Sequence, residues 1–199
     1  NLPAIDAVYS YLVKINKKPT KNKKPEGEIV EIIGNINEAG VDMLSLVKEY
    51  NLPYEFPIQV MEEARNTSQV IFKEQIKNRL DLRNKQIFTI DGEDAKDLDD
   101  AVCVEKTEQG NYILGVHIAD VSNYVPEGSN LDREAITRGT SVYMMDRVIP
   151  MLPKELSNGI CSLNAKQDRF TISAIMEISP DGQVVSYDIV KSIIRVTER

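Results

Sequence analysis

The segment at residues 91–100 restricts the fold of this chain more than any other feature of the sequence. It reads DGEDAKDLDD and places six carboxylates in ten residues, with Lys96 as the only opposing charge. The runs on either side of it, IFTI and AVCV, are apolar and typical of strands. Because such strands would hold both ends of the loop against a core, the carboxylates cannot all spread into solvent.

Crowded carboxylates repel one another. Two like charges about 4 Å apart repel by about 1 kcal/mol in water and by about 4 kcal/mol at an effective dielectric constant near 20. The repulsion is relieved if the carboxylates point apart, if raised pKa values protonate some of them, or if a divalent cation binds several of them. The segment therefore favours a cation site, and a solvated acidic loop stays open as the alternative.

Magnesium is the cation that best suits this loop. Proteins hold it with one or two carboxylates together with substrate phosphate oxygens, and four aspartates here have the short side chains that such a site needs: Asp91, Asp97, Asp99 and Asp100. Two ions about 3.5 to 4 Å apart would activate water and stabilise the leaving oxygen in phosphodiester hydrolysis. The spacing does not fit an EF-hand, so a calcium-stabilised structural module is the minor alternative to metal-dependent phosphoryl chemistry.

The composition is that of a globular protein, with 199 residues of which 42% are apolar. No apolar run approaches the roughly 18 to 20 residues that cross a bilayer, so we expect no membrane partner and a cytoplasmic location. Cys103 and Cys161 lie far apart and form no Cys-x-x-Cys pattern, which predicts reduced thiols.

The charge is unevenly distributed along the chain. The net charge is −7, yet residues 1–25 hold six lysines against one acid. A polyanion would therefore bind at particular patches and not to the whole surface. The lysine-rich run at residues 14–24 is either a solvated loop or a set of phosphate contacts.

Hydrophobic periodicity divides the chain into three parts. In residues 1–40, GEIVEIIG indicates a strand that ends at a turn, which is typical of the end of a small β domain. Residues 41–82 are predicted as a helical connector, with helices in VDMLSLVKEY and IQVMEEAR and a third over about residues 68–80. Residues 83–199 form an α+β domain on a mainly antiparallel sheet. Its predicted strands lie in QIFTID, AVCVEK, NYILGVHIAD, TSVYMM, DRFTISAIMEI and QVVSYDIVKSIIRV, and SNLDREAITRG predicts a helix.

Three long motifs carry a family resemblance. TIDGEDAKDLDDAV, GVHIADVSNYVPEGSNLDREA and TSVYMMDRVIPMLPKELSNGICSLN resemble, in this order, the start of the catalytic domain of the RNB exoribonucleases, the family of ribonuclease R and ribonuclease II. The resemblance covers roughly residues 80–197 and implies that residues 83–199 are the N-terminal part of a truncated RNB catalytic domain. Residues 1–40 would then be the C-terminal part of a cold-shock, OB-like domain. Because the family continues with the rest of that catalytic domain and an S1 domain, we expect a piece of a longer protein.

The resemblance also implies an activity and its site residues. The activity is hydrolysis of RNA from the 3′ end with Mg²⁺, or Mn²⁺ as the alternative ion, which releases nucleoside 5′-monophosphates. The family's I-D-x(5)-D-x-D-D motif implies four aspartates as both metal ligands and catalytic residues: Asp91, Asp97, Asp99 and Asp100. Loss of Asp99 is expected to reduce turnover most. The implied partners are single-stranded RNA 3′ ends and, through the longer protein, the ribosome or RNA-decay factors.

Four other residues complete the set of candidates. Tyr143 occupies the position of a family tyrosine that stacks on bases near the RNA 3′ end, a contact worth about 1 to 3 kcal/mol per base; the alternative is a core aromatic on a strand. His117, the only histidine, is expected to be structural. Asp120 and Asp132 are predicted as acids of a turn and of a helix N-terminus.

Two function classes follow. The leading hypothesis is an RNA-degrading enzyme, and the alternative is an RNA-binding, catalytically incompetent fragment or relative of the same fold. All four aspartates of the motif are present. Because an incompetent relative is expected to have lost one or more of them, the sequence favours the enzyme.

Overall fold

A computed structural model describes residues 8–67 and 70–199 of the chain. The contacts divide it into two compact units, Asn1–Glu55 with Ser141–Ile149, and Phe56–Thr140 with Pro150–Arg199. Residues 1–7, at the start of the predicted β domain, and residues 68–69, at the start of the predicted third helix, lie outside the described part. The domain limits at residues 40 and 82 stay predictions.

The first unit is built on a β-hairpin. Strands β1 (Tyr9–Lys17) and β2 (Glu26–Asn35) pair antiparallel, and helix α1 (Val41–Glu49) follows after a turn. Val41 and Val47 are the buried residues of the helix. Gly40, just before it, has φ +85°, a left-handed conformation that glycine adopts without strain. The predicted strand in GEIVEIIG and the first predicted helix are confirmed.

The second unit is built on a five-stranded sheet with the order β3-β9-β8-β5-β4. Its strands are β3 (Leu80–Asp81), β4 (Asp100–Lys106), β5 (Tyr112–Ala119), β8 (Asp168–Ile178) and β9 (Val184–Arg195). Every pairing is antiparallel except that of β3 with β9. The predicted α+β class on a mainly antiparallel sheet is confirmed.

Short helices cover part of this unit. They are α2 (Ile58–Asn66), α3 (Lys73–Ile76) and α4 (Asn130–Arg138). Val60 and Ala64 of α2 pack with Leu131 of α4 and with Leu156 in one apolar cluster. No helix in residues 8–67 and 70–199 is long and apolar enough to cross a membrane.

A second apolar cluster lies where the acidic segment joins the sheet. It contains Leu82, Ile87, Leu98, Ala101, Ala119, Leu163, Ile194 and Val196. Ala101 and Ala119 come from β4 and β5, whereas Leu98 comes from the acidic segment itself. The core therefore extends directly into the loop that carries the carboxylates.

Three predicted elements are shorter than the sequence indicated. The prediction of a strand in QIFTID is wrong. Within this segment only Phe88 pairs with neighbouring parts of the chain, through isolated bridges to Val102 on one side and Glu198 on the other. The predicted third helix has only four residues, since the chain must reach β3 at Leu80 to pair with β9.

The predicted strand in TSVYMM is a third correction. It forms only β6 (Val142–Tyr143), which pairs with β7 (Val148–Ile149). The Met144 N–H donates to the Arg147 carbonyl at 2.9 Å. This bond closes a turn directly after Tyr143 and leaves no room for a longer strand.

Candidate active site: the acidic loop

The acidic loop, residues 91–100, begins shortly after the bridge at Phe88 and ends on Asp100, the first residue of β4. Leu98 is a large apolar side chain among these acids, and it is only 3% exposed. Asp97 on one side of it is half-buried, and Asp99 and Asp100 on the other side are exposed. Burial of Leu98 therefore anchors the loop in the core and leaves the flanking carboxylates on the solvent side.

Buried partners fix the loop backbone beside this anchor. The Ser162 hydroxyl accepts a hydrogen bond from the Leu98 N–H at 3.1 Å and donates one to the Lys96 carbonyl at 2.8 Å. The Leu163 N–H donates to the Leu98 carbonyl at 2.8 Å, and the Ala119 N–H donates to the Asp99 carbonyl at 3.0 Å. Four successive peptide groups, from the one before Asp97 to the one after Asp99, thus have fixed partners.

The aspartates act on one another electrostatically. The pKa of Asp99 is raised, first because protein atoms remove part of the water around its carboxyl, and then because Asp97, Asp100 and Asp91 repel its negative charge. Asp99 is an exposed residue, so the loss of water concerns only part of its surface. The other three aspartates predicted from the sequence therefore all act on the carboxyl group of Asp99.

The donor set of these four aspartates fits a hard cation. Carboxylate oxygens are the ligands that magnesium and manganese accept, and a cation would relieve the repulsion between these negative charges. Among residues 8–67 and 70–199, no three Asp, Glu, His or Cys side chains lie close enough together to hold an ion by themselves. A magnesium site usually takes one or two carboxylates and completes its shell with water and substrate phosphates. The metal assignment of the aspartates stays a prediction.

Tyr143 lies in the first compact unit, on β6, and is 64% exposed. Such exposure does not fit the alternative of a core aromatic, and it leaves the ring accessible for stacking on a base. The lysine-rich run at residues 14–24 is exposed throughout, with Lys17 paired to Glu26 at 2.6 Å. RNA contact by either feature stays a prediction.

His117 is a structural residue, as predicted. It is fully buried on β5, with Nδ1 2.6 Å from the Ser173 hydroxyl and Nε2 3.3 Å from the Cys103 sulfur. Burial lowers the pKa of His117 to about 4, so the imidazole is neutral at pH 7. Cys103 and Cys161 are free thiols, and burial raises the pKa of both.

The buried imidazole predicts a pH dependence of stability. Since the pKa of His117 falls from 6.5 in the unfolded chain to about 4 in the fold, the unfolded state binds the proton more tightly. The free energy of unfolding is then highest above about pH 6.5 and falls by about 2 kcal/mol between pH 7 and pH 5. Urea unfolding at both pH values, with wild type and His117→Asn, measures this loss.

The variant isolates the contribution of the imidazole. Asn keeps an amide near Ser173 but does not titrate. The free energy of unfolding of His117→Asn should therefore change less between pH 7 and pH 5 than that of wild type. Asp99, whose raised pKa favours the folded state as pH falls, acts equally in both proteins. Identical pH dependence in the two proteins would contradict the prediction.

A buried ion pair between Arg79 and Asp120 was not expected from the sequence. Arg79, which is 5% exposed in its side chain, donates to Asp120 Oδ2 at 2.6 Å, and Asp120 is fully buried. The same guanidinium donates to Asn123 at 3.1 Å and lies 4.1 Å from the centre of the Phe170 ring. Asp120 does precede a short 3₁₀ turn, Val121–Asn123, but its main contact is this pair. No local pattern links residues so far apart in sequence.

Asp132 is a helix N-terminal acid, as predicted. It lies in the first turn of α4, where its backbone N–H donates to the Ser129 hydroxyl at 3.1 Å. Its carboxylate accepts from the Gly128 N–H at 2.8 Å. These bonds satisfy free N–H groups at the start of α4. Capping of the helix therefore accounts for Asp132 and Ser129, and neither residue needs a bound ligand to explain its position.

Comparison with known proteins agrees with the fold. Residues 79–199 match the RNB domain, and residues 11–57 match the cold shock domain. The chain belongs to the RNB domain family. It is 52% identical to ribonuclease R of Thermotoga maritima over 94% of its own length and 27% of that protein.

Solved structures give the same result. Mycoplasma genitalium RNase R in complex with double-stranded RNA matches with a TM-score of 0.90 and 26% identity, over 100% of this chain and 35% of that one. The yeast pseudonuclease Ssd1 matches with a TM-score of 0.76 and 21% identity, over 96% of this chain and 25% of that one. The chain thus spans about a quarter to a third of the length of these proteins.

Proposed function

We propose that this chain forms the metal-binding, RNA-cleaving part of a 3′ to 5′ exoribonuclease. The reaction is hydrolysis of RNA phosphodiester bonds with Mg²⁺, or with Mn²⁺, to release nucleoside 5′-monophosphates. The observation that carries the proposal is the acidic loop, where Asp91, Asp97 and Asp100 all act on the Asp99 carboxyl. Membership of the RNB family supports the RNA substrate.

The proposed role of the aspartates is to hold and orient the divalent ions. Asp91, Asp97, Asp99 and Asp100 would hold the divalent ions, which when bound supply an activated water and stabilise the leaving oxygen. Asp97 and Asp99 flank the buried Leu98, and their backbone is fixed by Ser162, Leu163 and Ala119. Because this backbone is fixed before substrate arrives, little reorganisation is needed when an RNA phosphate approaches.

The RNA partner is a single-stranded 3′ end. Tyr143 would stack on a base near that end, and its 64% exposure leaves the ring accessible. A cytoplasmic site of action, and contacts with the ribosome or RNA-decay factors through the longer protein, rest on the family resemblance alone.

A fold of this kind does not by itself decide between an enzyme and an RNA-binding protein, since a pseudonuclease has a similar one. The carboxylates do discriminate. An incompetent relative has no need for acids that repel one another, whereas here four aspartates share one loop whose backbone is held by hydrogen bonds around Leu98. The enzyme is therefore the better supported function.

The test uses the longer protein that contains this chain and an RNA with a single-stranded 3′ end. With a 5′ label and Mg²⁺, a denaturing gel should show a ladder that shortens stepwise. With a 3′ label, the first product should be a labelled mononucleotide. EDTA should stop both the stepwise shortening and the release of the mononucleotide until Mg²⁺ or Mn²⁺ is restored. RNA binding without any shortening would instead identify the incompetent relative, and shortening from the 5′ end would refute the direction.

A further inference from the structure

We infer that Ser162 is a positioning residue for the aspartates of the acidic loop. The inference rests on the function proposed above and concerns a residue 62 or more positions away from the loop in sequence. The Ser162 hydroxyl bonds the Lys96 carbonyl and the Leu98 N–H. These groups belong to the two peptide units on either side of the Asp97 α-carbon, so one hydroxyl determines how that residue presents its carboxylate.

A neighbouring hydrogen bond also holds the backbone at Asp99. Leu163, next to Ser162, donates its N–H to the Leu98 carbonyl at 2.8 Å, which belongs to the peptide unit before Asp99. The pair Ser162 and Leu163 thus binds three successive peptide units of the loop. Both residues are fully buried, so the loop is anchored from the interior of the protein.

Ser162 is itself held from the sheet. Its carbonyl accepts from Arg169 Nε at 2.7 Å, and its N–H donates to the Gly159 carbonyl at 3.1 Å. Arg169, on β8 and only 7% exposed, also donates to the Asp168 carbonyl at 2.9 Å. The strand therefore fixes Ser162, and Ser162 fixes the loop.

Catalysis depends on this kind of placement. A displacement of about 1 Å at a reacting group can lower a rate by about 100-fold. With Ala at position 162, the Lys96 carbonyl can turn to water because Lys96 is exposed, whereas the Leu98 N–H stays buried without its acceptor. The peptide units around Asp97 would then reorient to satisfy that N–H.

A merely structural role makes a different prediction. A buried serine that only satisfies neighbouring polar groups would affect stability and leave the rate of the folded protein unchanged. Ser192 on β9 is a matched control, because it too is fully buried and bonds the Thr171 hydroxyl at 2.6 Å and the Thr171 carbonyl at 3.2 Å. Ser192→Ala removes comparable bonds within the sheet.

The experiment compares Ser162→Ala, Ser162→Thr and Ser192→Ala in the longer protein, below the unfolding temperature of each. At saturating RNA, Ser162→Ala should degrade about 10- to 100-fold more slowly than wild type, with RNA affinity changed by less than about 3-fold. Ser162→Thr, which keeps the hydroxyl, should recover most of the rate. Ser192→Ala should stay within about 3-fold of wild type.

A second readout needs neither metal nor RNA. Hydrogen exchange of the peptide that contains Leu98 should be faster in Ser162→Ala than in wild type and unchanged in Ser192→Ala. If Ser162→Ala does not fold, Ser162→Cys, of similar size but with weaker hydrogen bonds, takes its place and should give an intermediate rate and exchange.

The outcomes separate this inference from the proposed function. If wild type degrades RNA and Ser162→Ala keeps both its rate and its exchange, the positioning role is refuted while the function stands. Equal losses in Ser162→Ala and Ser192→Ala would also refute it, because they would reflect stability alone. An inactive wild type would refute the proposed function itself.

Discussion

Replacing Asp99 by Asn in the longer protein is expected to lower the rate of RNA degradation at saturating RNA by at least about 100-fold. The pKa of Asp99 is raised by partial burial and then by repulsion from Asp97, Asp100 and Asp91, so the charges of the other three aspartates act on this carboxyl group. Asn keeps the size of the side chain but removes the charge that would hold a cation. A bound metal supplies several kcal/mol of transition-state stabilisation, and each 1.36 kcal/mol is about a tenfold change in rate.

Asp94→Asn is the matched control. It removes the same charge from the same loop, at an exposed position that falls in the spacer of the motif. We expect it to keep the rate within about 3-fold of wild type, since a surface charge contributes little. Stepwise shortening on a denaturing gel measures the rate, and filter binding measures RNA affinity. Equal losses in both variants would indicate a general effect of charge, and full activity of Asp99→Asn would leave the loop a structural feature.

Local patterns predict the strands of the sheet and the position of the acidic loop. The apolar runs in AVCVEK and NYILGVHIAD correspond to β4 and β5, and in β5 the buried residues Gly115, His117 and Ala119 alternate along one face. The same logic fails at QIFTID, where Ile87 and Thr89 are buried but only Phe88 forms bridges. Burial thus produced an alternating pattern without a regular strand.

The residues that hold the backbone of the acidic loop could not be predicted from the sequence. Ser162 and Leu163 lie in NGICSLN, and Ala119 ends β5. They meet the acidic loop only through the tertiary fold, and no local periodicity encodes such contacts. Leu98 did leave a signal, as one apolar residue within DLDD. A lone apolar residue in a charged loop is a reasonable candidate for an anchor.

The buried pair of Arg79 and Asp120 has consequences for both stability and the site. Asp120 follows Ala119, whose N–H donates to the Asp99 carbonyl at 3.0 Å. The Asp120 N–H itself donates to the Phe170 carbonyl at 2.9 Å, and the Arg79 guanidinium lies over the Phe170 ring. The pair thus holds the end of β5 against β8 at the point where β5 contacts the acidic loop.

Asp120→Asn is expected to lower the free energy of unfolding by about 3 to 5 kcal/mol, because it leaves the Arg79 charge buried without its counter-charge. A domain is stable by only about 5 to 15 kcal/mol, so this is a large share of the total. Urea unfolding followed by circular dichroism measures the change. The double variant Arg79→Met with Asp120→Asn should recover part of the loss, since no unpaired charge remains.

The exposed pair of Arg83 and Asp81 is the matched control for burial. It has the same 2.6 Å separation as the Arg79–Asp120 pair, but its side chains are 31% and 47% exposed. Water and the second carboxylate partner of Arg83, Asp168 at 3.1 Å, compensate the loss of Asp81, so Asp81→Asn should lower the free energy of unfolding by no more than about 1 kcal/mol. If Asp120→Asn and Asp81→Asn lowered the free energy of unfolding by similar amounts, water would have to reach Arg79. The end of β5 would then be held by its backbone hydrogen bonds and not by the ion pair.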